Sequence, residues 1–221
     1  MKSFSIKRKG GIALLSTALV LALTSASQAA ITYTVHMDVS SLVSNPNGPY
    51  SLDLQVATGS GNVLNSVTLS NFQLVGGSFT GSTFSGGGTS GSFSTTLTLD
   101  NSAANSYFAQ EFTAGTTEIS FDVLQTANSE FVGTGTPIPD QFNVFLDDGN
   151  TVDGYVPTTD PSSGDALLSS TFSAGETIGG IATYSSLSPD AGVTVSVVPE
   201  PSAFALLGLG SLGFFARRRR A

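Results

Sequence analysis

His36 is the single histidine of this 221-residue chain, so it is the side chain best suited to act as a general base near neutral pH. A Ser-His-Asp hydrolase would also need an exposed nucleophile, and the sequence contains no Gly-x-Ser-x-Gly turn that would supply one. His36 lies between Thr34 and Asp38, on the polar side of a run in which apolar and polar residues alternate. We therefore interpret His36 as a surface residue of a strand, and we expect the protein not to be an enzyme.

Carboxylates offer a second kind of chemistry, because a pair of them can cleave a glycosidic bond. Clefts that bind sugars usually add aromatic platforms, and the chain has no tryptophan. Tyr107, Phe108 and Tyr155 could stack on a sugar ring, but packing in the core explains these residues equally well. The sequence therefore leaves carbohydrate binding open and favours no hydrolytic site.

One acidic loop has the residue types that calcium prefers. The sequence DDGNTVDG, at 147–154, brings together Asp147, Asp148, Asn150 and Asp153. Calcium takes six to eight oxygen ligands, but the spacing here is not that of an EF-hand loop. Asp-Gly and Gly-Asn are also ordinary hairpin turns. A calcium site at these four residues therefore stands as an alternative to a plain turn, and no other cofactor is predicted.

The distribution of charge divides the chain into three parts. All eight Lys and Arg residues lie in the terminal segments, at 2–9 and 217–220, whereas fifteen of the sixteen acidic residues lie between 30 and 197. The central part therefore has a net charge near −15 with histidine neutral. Such a surface repels nucleic acid and anionic lipid, and we exclude nucleic acid as a partner. The chain has no cysteine, and the central part must be stable without disulfide bonds.

Alternation with a period of two runs through most of the central part, which predicts an all-β domain at 30–197. Predicted strands cover 31–39, 50–56, 63–69, 71–75, 93–99, 107–112, 118–124, 141–146, 166–172, 178–184 and 193–198. The Gly/Ser/Thr-rich stretch at 76–92 is predicted to be a flexible loop or a loose hairpin. With short turns and no helical periodicity, the pattern favours an antiparallel, jelly-roll-like β-sandwich.

The N-terminal segment is typical of a secretory signal peptide. Four basic residues precede an apolar run at 12–23, and Ser27-Gln28-Ala29 fits the small-x-small rule before a cleavage point. We predict a signal helix at 1–29 that is removed after Ala29, and an uncleaved N-terminal anchor is the alternative.

The C-terminal segment is predicted to be a short transmembrane helix at 202–216. These residues carry no charge, and at about 1.5 Å per residue they reach about 22 Å, against a hydrocarbon core of about 30 Å. Pro201 suits the first turn of a helix, and Glu200 lies near the positive end of the helix dipole. The cationic cluster that follows should remain in the cytoplasm and hold the body of the protein outside: Arg217, Arg218, Arg219 and Arg220.

This C-terminal arrangement resembles the PEP-CTERM sorting signal of Gram-negative bacteria. The matching residues are the motif Val198, Pro199, Glu200 and Pro201, the apolar run, and the arginine cluster, which together make a sorting segment at 198–221. The resemblance implies processing by an exosortase at the inner membrane. The body, with YTVHMDVSSL, NSYFAQEFTAGTTEISFDV and FNVFLDDG, resembles a group of uncharacterised secreted PEP-CTERM proteins. An ordinary tail anchor is the alternative for the terminal helix.

These observations predict an exported, acidic surface or extracellular-matrix protein. It would pass through an inner-membrane intermediate and end at the cell surface or in the medium, in contact with extracellular polysaccharide. A carbohydrate-binding module, with or without calcium, is the alternative.

Overall fold

The computed structural model describes residues 30–61, 63–126, 138–149, 154–161, 164–172 and 180–199. Within these ranges the chain forms twelve β-strands and one short 3₁₀ helix at Ser40–Leu42, so the all-β prediction is confirmed. The predicted signal helix and the predicted transmembrane helix lie outside the described residues.

The strands form two six-stranded antiparallel sheets that pack as a sandwich. We call the sheet with the order β12-β1-β8-β3-β6-β5 sheet A, and the sheet with the order β11-β10-β9-β2-β7-β4 sheet B. The strands are β1 Ala30–Asp38, β2 Tyr50–Ala57, β3 Ser66–Val75, β4 Phe79–Gly86, β5 Gly88–Gly91, β6 Leu97–Asp100, β7 Asn105–Phe112, β8 Glu118–Thr126, β9 Gln141–Asp148, β10 Leu168–Thr171, β11 Ile181–Thr183 and β12 Thr194–Pro199.

The pairing of strands is nested along the chain. β1 pairs with β12, β2 with β9, β3 with β8, and β4 with β7. This nesting is what winding one long antiparallel ribbon into two sheets produces, as in a jelly roll. Chain segments that are far apart in sequence thus become neighbours, and the first and last described strands lie side by side at one edge of sheet A.

The alternating pattern of β1 follows the burial of its side chains. Tyr33, Val35 and Met37 are fully buried, whereas Thr34 and His36 between them are only half-buried. Since successive side chains of a strand point to opposite faces, the first set packs in the core and the second lies on the outer face of sheet A. The predicted boundaries of β1 therefore agree with the structure to within one residue at each end.

The stretch at 76–92 is not the flexible loop or loose hairpin that its composition predicts. It contains β4 and β5, which lie at the edges of different sheets and pair with β7 and β6 instead of with each other. The chain changes sheets at Gly87, whose φ is +68° and where a Cβ would lie 2.4 Å from the backbone oxygen of Asn105. Glycine is required at this crossing because a side chain has no room there.

Three further predicted strands have different bounds. The separate strands predicted at 63–69 and 71–75 form one strand, β3, with an irregularity near Asn71 at a φ of +55°. The strand predicted at 93–99 begins at Leu97, because residues 93–95 form a turn. Phe93 is nevertheless buried, so its apolar character reflects a core contact made from a turn.

Phenylalanine rings fill one part of the core. Phe93 lies 4.5 Å from Phe72, 4.5 Å from Phe79 and 4.7 Å from Phe108 between ring centroids, and Phe121 lies 5.1 Å from Phe72. These five rings join both sheets and the turn at 93–95. In a chain without tryptophan or disulfides, such clusters supply large buried areas together with favourable ring contacts.

Candidate functional site

The first half of the predicted sorting motif belongs to the folded domain. Val198 and Pro199 are the last two residues of β12, and they lie opposite Thr34 and Tyr33 of β1. Val198 is 52% exposed on this edge strand. Glu200, Pro201 and the arginine cluster lie outside the described residues. No helix within the described ranges is long and apolar enough to cross a bilayer.

A second candidate site lies on the outer face of sheet B, where polar groups gather around Asp53. Gln55 Nε2 donates to Asp53 Oδ2 at 2.6 Å and to the Tyr155 hydroxyl oxygen at 2.7 Å, and the Tyr155 hydroxyl group lies 3.3 Å from the same carboxylate oxygen. Phe145 stacks on Tyr155 with 4.7 Å between ring centroids. Asp53 and Gln55 lie on β2, and Phe145 lies on β9. Tyr155 belongs to a segment that pairs with the end of β9, and this pairing brings Tyr155 over the other three residues.

The surroundings of Asp53 and Asp147 favour the protonated form of each carboxyl group. Burial raises the pKa of Asp53, although the hydrogen bonds from Gln55 and Tyr155 oppose this shift. Burial, followed by the charges of Asp53 and Asp148, raises the pKa of Asp147 to about 7. Asp53 is only 4% exposed, so a substrate cannot reach it directly. Asp53 therefore fits a role in positioning the surrounding polar groups better than a role in acid-base catalysis.

The pKa of Asp147 predicts a pH-dependent stability. Because its folded-state pKa lies above the ordinary value of 3.8, its stabilising contribution is full below that value and is lost as the pH rises towards 7. We expect the full-length chain in mild detergent to have a higher melting temperature at pH 5 than at pH 7.5. Asp147→Asn should reduce this difference, whereas Asp160→Asn, outside the network, should leave it unchanged. An identical pH response in wild type and Asp147→Asn would contradict the prediction. Circular dichroism can follow the melting.

Two aromatic side chains lie beside this network on the same outer face. Phe84 of β4 is 63% exposed, and Tyr107 of β7 is 38% exposed. The ring of Tyr107 packs against the backbone of Gly86, where a Cβ would lie 2.7 Å from Cε1. Asn105 connects the aromatic part to the polar part by donating from Nδ2 to Gln55 Oε1 at 3.1 Å. We call Phe84, Tyr107, Asn105, Gln55 and Tyr155 the sheet B patch.

The structure describes two of the four predicted calcium ligands, Asp147 and Asp148. Asp147 lies on the outer face of β9 and is half-buried, whereas Asp148 points to the opposite face and is 4% exposed. Asn150 and Asp153 lie outside the described residues. Within the described part of the chain, no three His, Cys, Asp or Glu side chains are placed to hold a metal ion. Calcium binding in this loop therefore stays a prediction. Because the side chains of Asp147 and Asp148 point to opposite faces of β9, they could not both bind one ion.

His36 lies in an open polar groove of about 350 Å³ on the outer face of sheet A. Its Nδ1 atom is 3.1 Å from Glu118 Oε1, and both side chains are about two-fifths exposed. Ser196 lies opposite His36 on β12 and lines the same groove, so three residue types of a hydrolytic triad are neighbours. The described hydrogen bonds include none between Ser196 and His36. Since the groove is open and its serine is on a regular strand, the surface interpretation of His36 agrees with the geometry.

Comparison with known proteins identifies the C-terminal segment. Residues 197–220 match the family model of the PEP-CTERM protein-sorting motif. This match confirms the resemblance drawn from Val198, Glu200 and the arginine cluster. The chain matches no curated protein and no solved structure, and the resemblance of its body to secreted β proteins gains no support.

The motif has three consequences for the chain. It implies an exosortase as the processing partner and export through the cell envelope towards the surface. It also supports an extracellular place of action for the sandwich. The motif covers only the end of the chain and does not indicate what the body does.

Proposed function

We propose that this protein is a non-enzymatic component of the cell surface or extracellular matrix. The PEP-CTERM match at 197–220 is the observation that carries this proposal. In this proposal the chain is exported, is held in the inner membrane by residues 202–216 as an intermediate, and is released from it by an exosortase. The central part has no Lys, Arg or Cys to serve a reaction, and this composition supports a structural or binding role among extracellular polysaccharide.

The mass of the mature protein tests this proposal. We expect the secreted form to lack residues 1–29 and about twenty residues at the C-terminus, because both terminal segments are sorting signals. Intact-mass spectrometry of protein from the medium or the cell surface measures both losses. A mature form that retained Arg217–Arg220 would contradict processing at the motif, and the membrane fraction of the same cells provides the unprocessed precursor as a reference.

Carbohydrate binding is the second candidate function, and the sheet B patch favours it. Exposed aromatic rings present the apolar surface on which a sugar ring can stack, and nearby amide and hydroxyl groups can bond its hydroxyls. Phe84 and Tyr107 provide such rings, and Asn105 and Gln55 provide amides beside them. The hydrogen bonds among Gln55, Asp53 and Tyr155 hold the polar side in place, which lowers the entropy lost on binding.

A polysaccharide pull-down tests the patch. Tyr107→Ala and Phe84→Ala should each weaken retention at least severalfold, because each removes a stacking surface. Gly86→Ala keeps Tyr107 but displaces its ring, so it should weaken retention too. Leu124→Ala changes a similarly exposed apolar residue on the outer face of sheet A and serves as the matched control. Equal retention by all four variants would place any glycan contact elsewhere, and repeating the assay with a chelator separates calcium-dependent binding.

A further inference from the structure

The first and last described strands place both predicted membrane segments at the same end of the sandwich. β1 starts at Ala30, directly after the predicted signal segment, and β12 ends at Pro199, three residues before the predicted transmembrane helix. The two strands are antiparallel neighbours, with Pro199 opposite Tyr33. The chain therefore enters and leaves the sandwich at the same end of sheet A, which we call the exit end. The opposite end of the sandwich is the far end.

Three loop segments that the structure describes lie at the exit end beside these strands. Residues 58–61 and 63–65 connect β2 to β3, residues 101–104 connect β6 to β7, and residues 138–140 lead into β9. Backbone hydrogen bonds join them, since Thr58 N donates to Ala104 O at 3.1 Å and Ser60 N donates to Ile138 O at 2.9 Å. These loops thus make one connected surface beside the points where the chain leaves.

Asp140 holds these loops in a fixed arrangement. Its Oδ1 atom accepts from the backbone nitrogen of Gly59 at 2.6 Å, and its Oδ2 atom accepts from Asn65 Nδ2 at 2.8 Å and Asn101 Nδ2 at 2.7 Å. The residue is only 4% exposed, so its carboxylate is enclosed by these donors. The surface of the exit end is therefore braced from within and does not present this acidic group.

Two large apolar side chains project from this braced surface. Leu64 is 63% exposed and Ile138 is 67% exposed, and each lies within two residues of a member of the Asp140 network. Water solvates such side chains poorly, whereas the boundary between lipid headgroups and acyl chains accepts them. Because the central part has no Lys or Arg, contact with a membrane at this end has to be apolar.

Two described acidic residues lie at the exit end: the buried Asp140, and Asp100 at the end of β6, which is half-buried and accepts a hydrogen bond from the backbone nitrogen of Ser102. The acidic groups at the far end do not oppose such a contact. Asp38 lies opposite Glu118 at the far ends of β1 and β8, and Asp190 accepts a hydrogen bond from Tyr50 at the start of β2. The nine residues of β1 span about 30 Å at about 3.3 Å each. This length exceeds three Debye lengths of about 8 Å at physiological ionic strength, so these carboxylates are screened from an anionic bilayer at the exit end.

We propose that the exit end rests on the outer leaflet of the inner membrane while the chain is anchored, with Leu64 and Ile138 in the boundary between headgroups and acyl chains. The partner is a lipid surface. This inference depends on the proposed function, because it requires the membrane-anchored intermediate. It adds an orientation to that intermediate, in which sheet strands run away from the bilayer and the acidic far end points outward.

Fluorescence quenching by spin-labelled lipid tests the orientation in the full-length chain. The chain has no cysteine, so Leu64→Cys and Ile138→Cys each give one labelling site. Val43→Cys and Val75→Cys are matched controls, because they replace apolar residues at the far end that are 40% and 55% exposed. In liposomes whose lipids carry a nitroxide near the headgroup, we expect labels at 64 and 138 to be quenched severalfold more than labels at 43 and 75. Equal quenching at both ends would overturn the proposal.

A second variant tests whether Leu64 and Ile138 keep the exit end in contact with the bilayer. Ala104 is exposed at the exit end and does not belong to the apolar pair, so Ala104→Cys serves as a reporter. Leu64→Ser combined with Ile138→Ser should reduce quenching at this reporter severalfold, and unchanged quenching would contradict the contact.

Carbonate extraction distinguishes the two proposals. A full-length chain that washes off the membrane refutes the anchored intermediate and the orientation together, whereas an anchored but unquenched chain refutes only the orientation.

Discussion

Glu200→Ala is expected to leave the precursor, with its C-terminal segment intact, in the inner membrane, with almost no processed protein outside the cell. Glu200 is the acidic residue of the Val-Pro-Glu-Pro motif, which lies within the matched sorting segment. Its removal takes away the only charge between the end of β12 and the arginine cluster, and with it a group that an exosortase can recognise. The apolar run and the arginines are unchanged in this variant, so anchoring should persist while cleavage fails.

Cell fractionation followed by intact-mass analysis measures this effect. The matched control is Glu118→Ala, which removes a partly exposed glutamate from the folded domain and should be processed as wild type. Secreted Glu200→Ala protein with the wild-type mature mass would show that recognition does not depend on this residue. Secreted protein that retained the arginines would instead contradict the anchor itself.

Phe93→Ala should lower the free energy of unfolding by about 3–5 kcal/mol, the range for truncation of a buried phenylalanine. Phe93 is 5% exposed and touches three other rings at centroid distances below 5 Å. Its removal leaves a cavity between the two sheets, and the surrounding strands are too well paired to collapse into it. Most single domains have only about 5–15 kcal/mol of stability, so this loss is expected to reduce the amount of exported protein as well.

Chemical denaturation of the full-length chain in mild detergent measures this loss. Phe84→Ala is the matched control, because it removes the same side chain from a position that is 63% exposed. That control should change the free energy of unfolding by about 0.5 kcal/mol or less. Similar destabilisation by both variants would mean that Phe93 is not a core residue.

Strands with one buried face were predictable from the sequence, because burial imposes the alternation. β1 and β8 are examples, and their bounds lie close to the predicted ones. β4 and β5 were not predictable in this way. Both lie at the edge of a sheet, where β4 buries little of its length, so its polar and glycine-rich sequence has no strong period. Their strand structure comes from pairing with β7 and β6, which is a tertiary effect that propensity does not capture.

The sheet B patch shows a similar limit for the candidate site. Asp53 and Gln55 alternate with the buried residues of β2, which does indicate that they share its outer face. Tyr155 comes from a segment a hundred residues away, and no spacing in the sequence places it beside them. The sorting motif was predictable because its parts are adjacent in the chain. A patch assembled by long-range pairing leaves only the residue types as a signal.

The position of β12 limits where the tail can be cut. Only Glu200 and Pro201 lie between Pro199 and Ser202, so the folded domain and the predicted membrane helix are separated by at most about 10 Å of chain. An enzyme that cleaves within this stretch must have its active site almost level with the bilayer surface. Cleavage after Pro199 would leave each described pair between β12 and β1 in place. Release from the membrane would then require no unfolding of the cargo, and the mature protein would carry its new carboxyl terminus at the rim of sheet A.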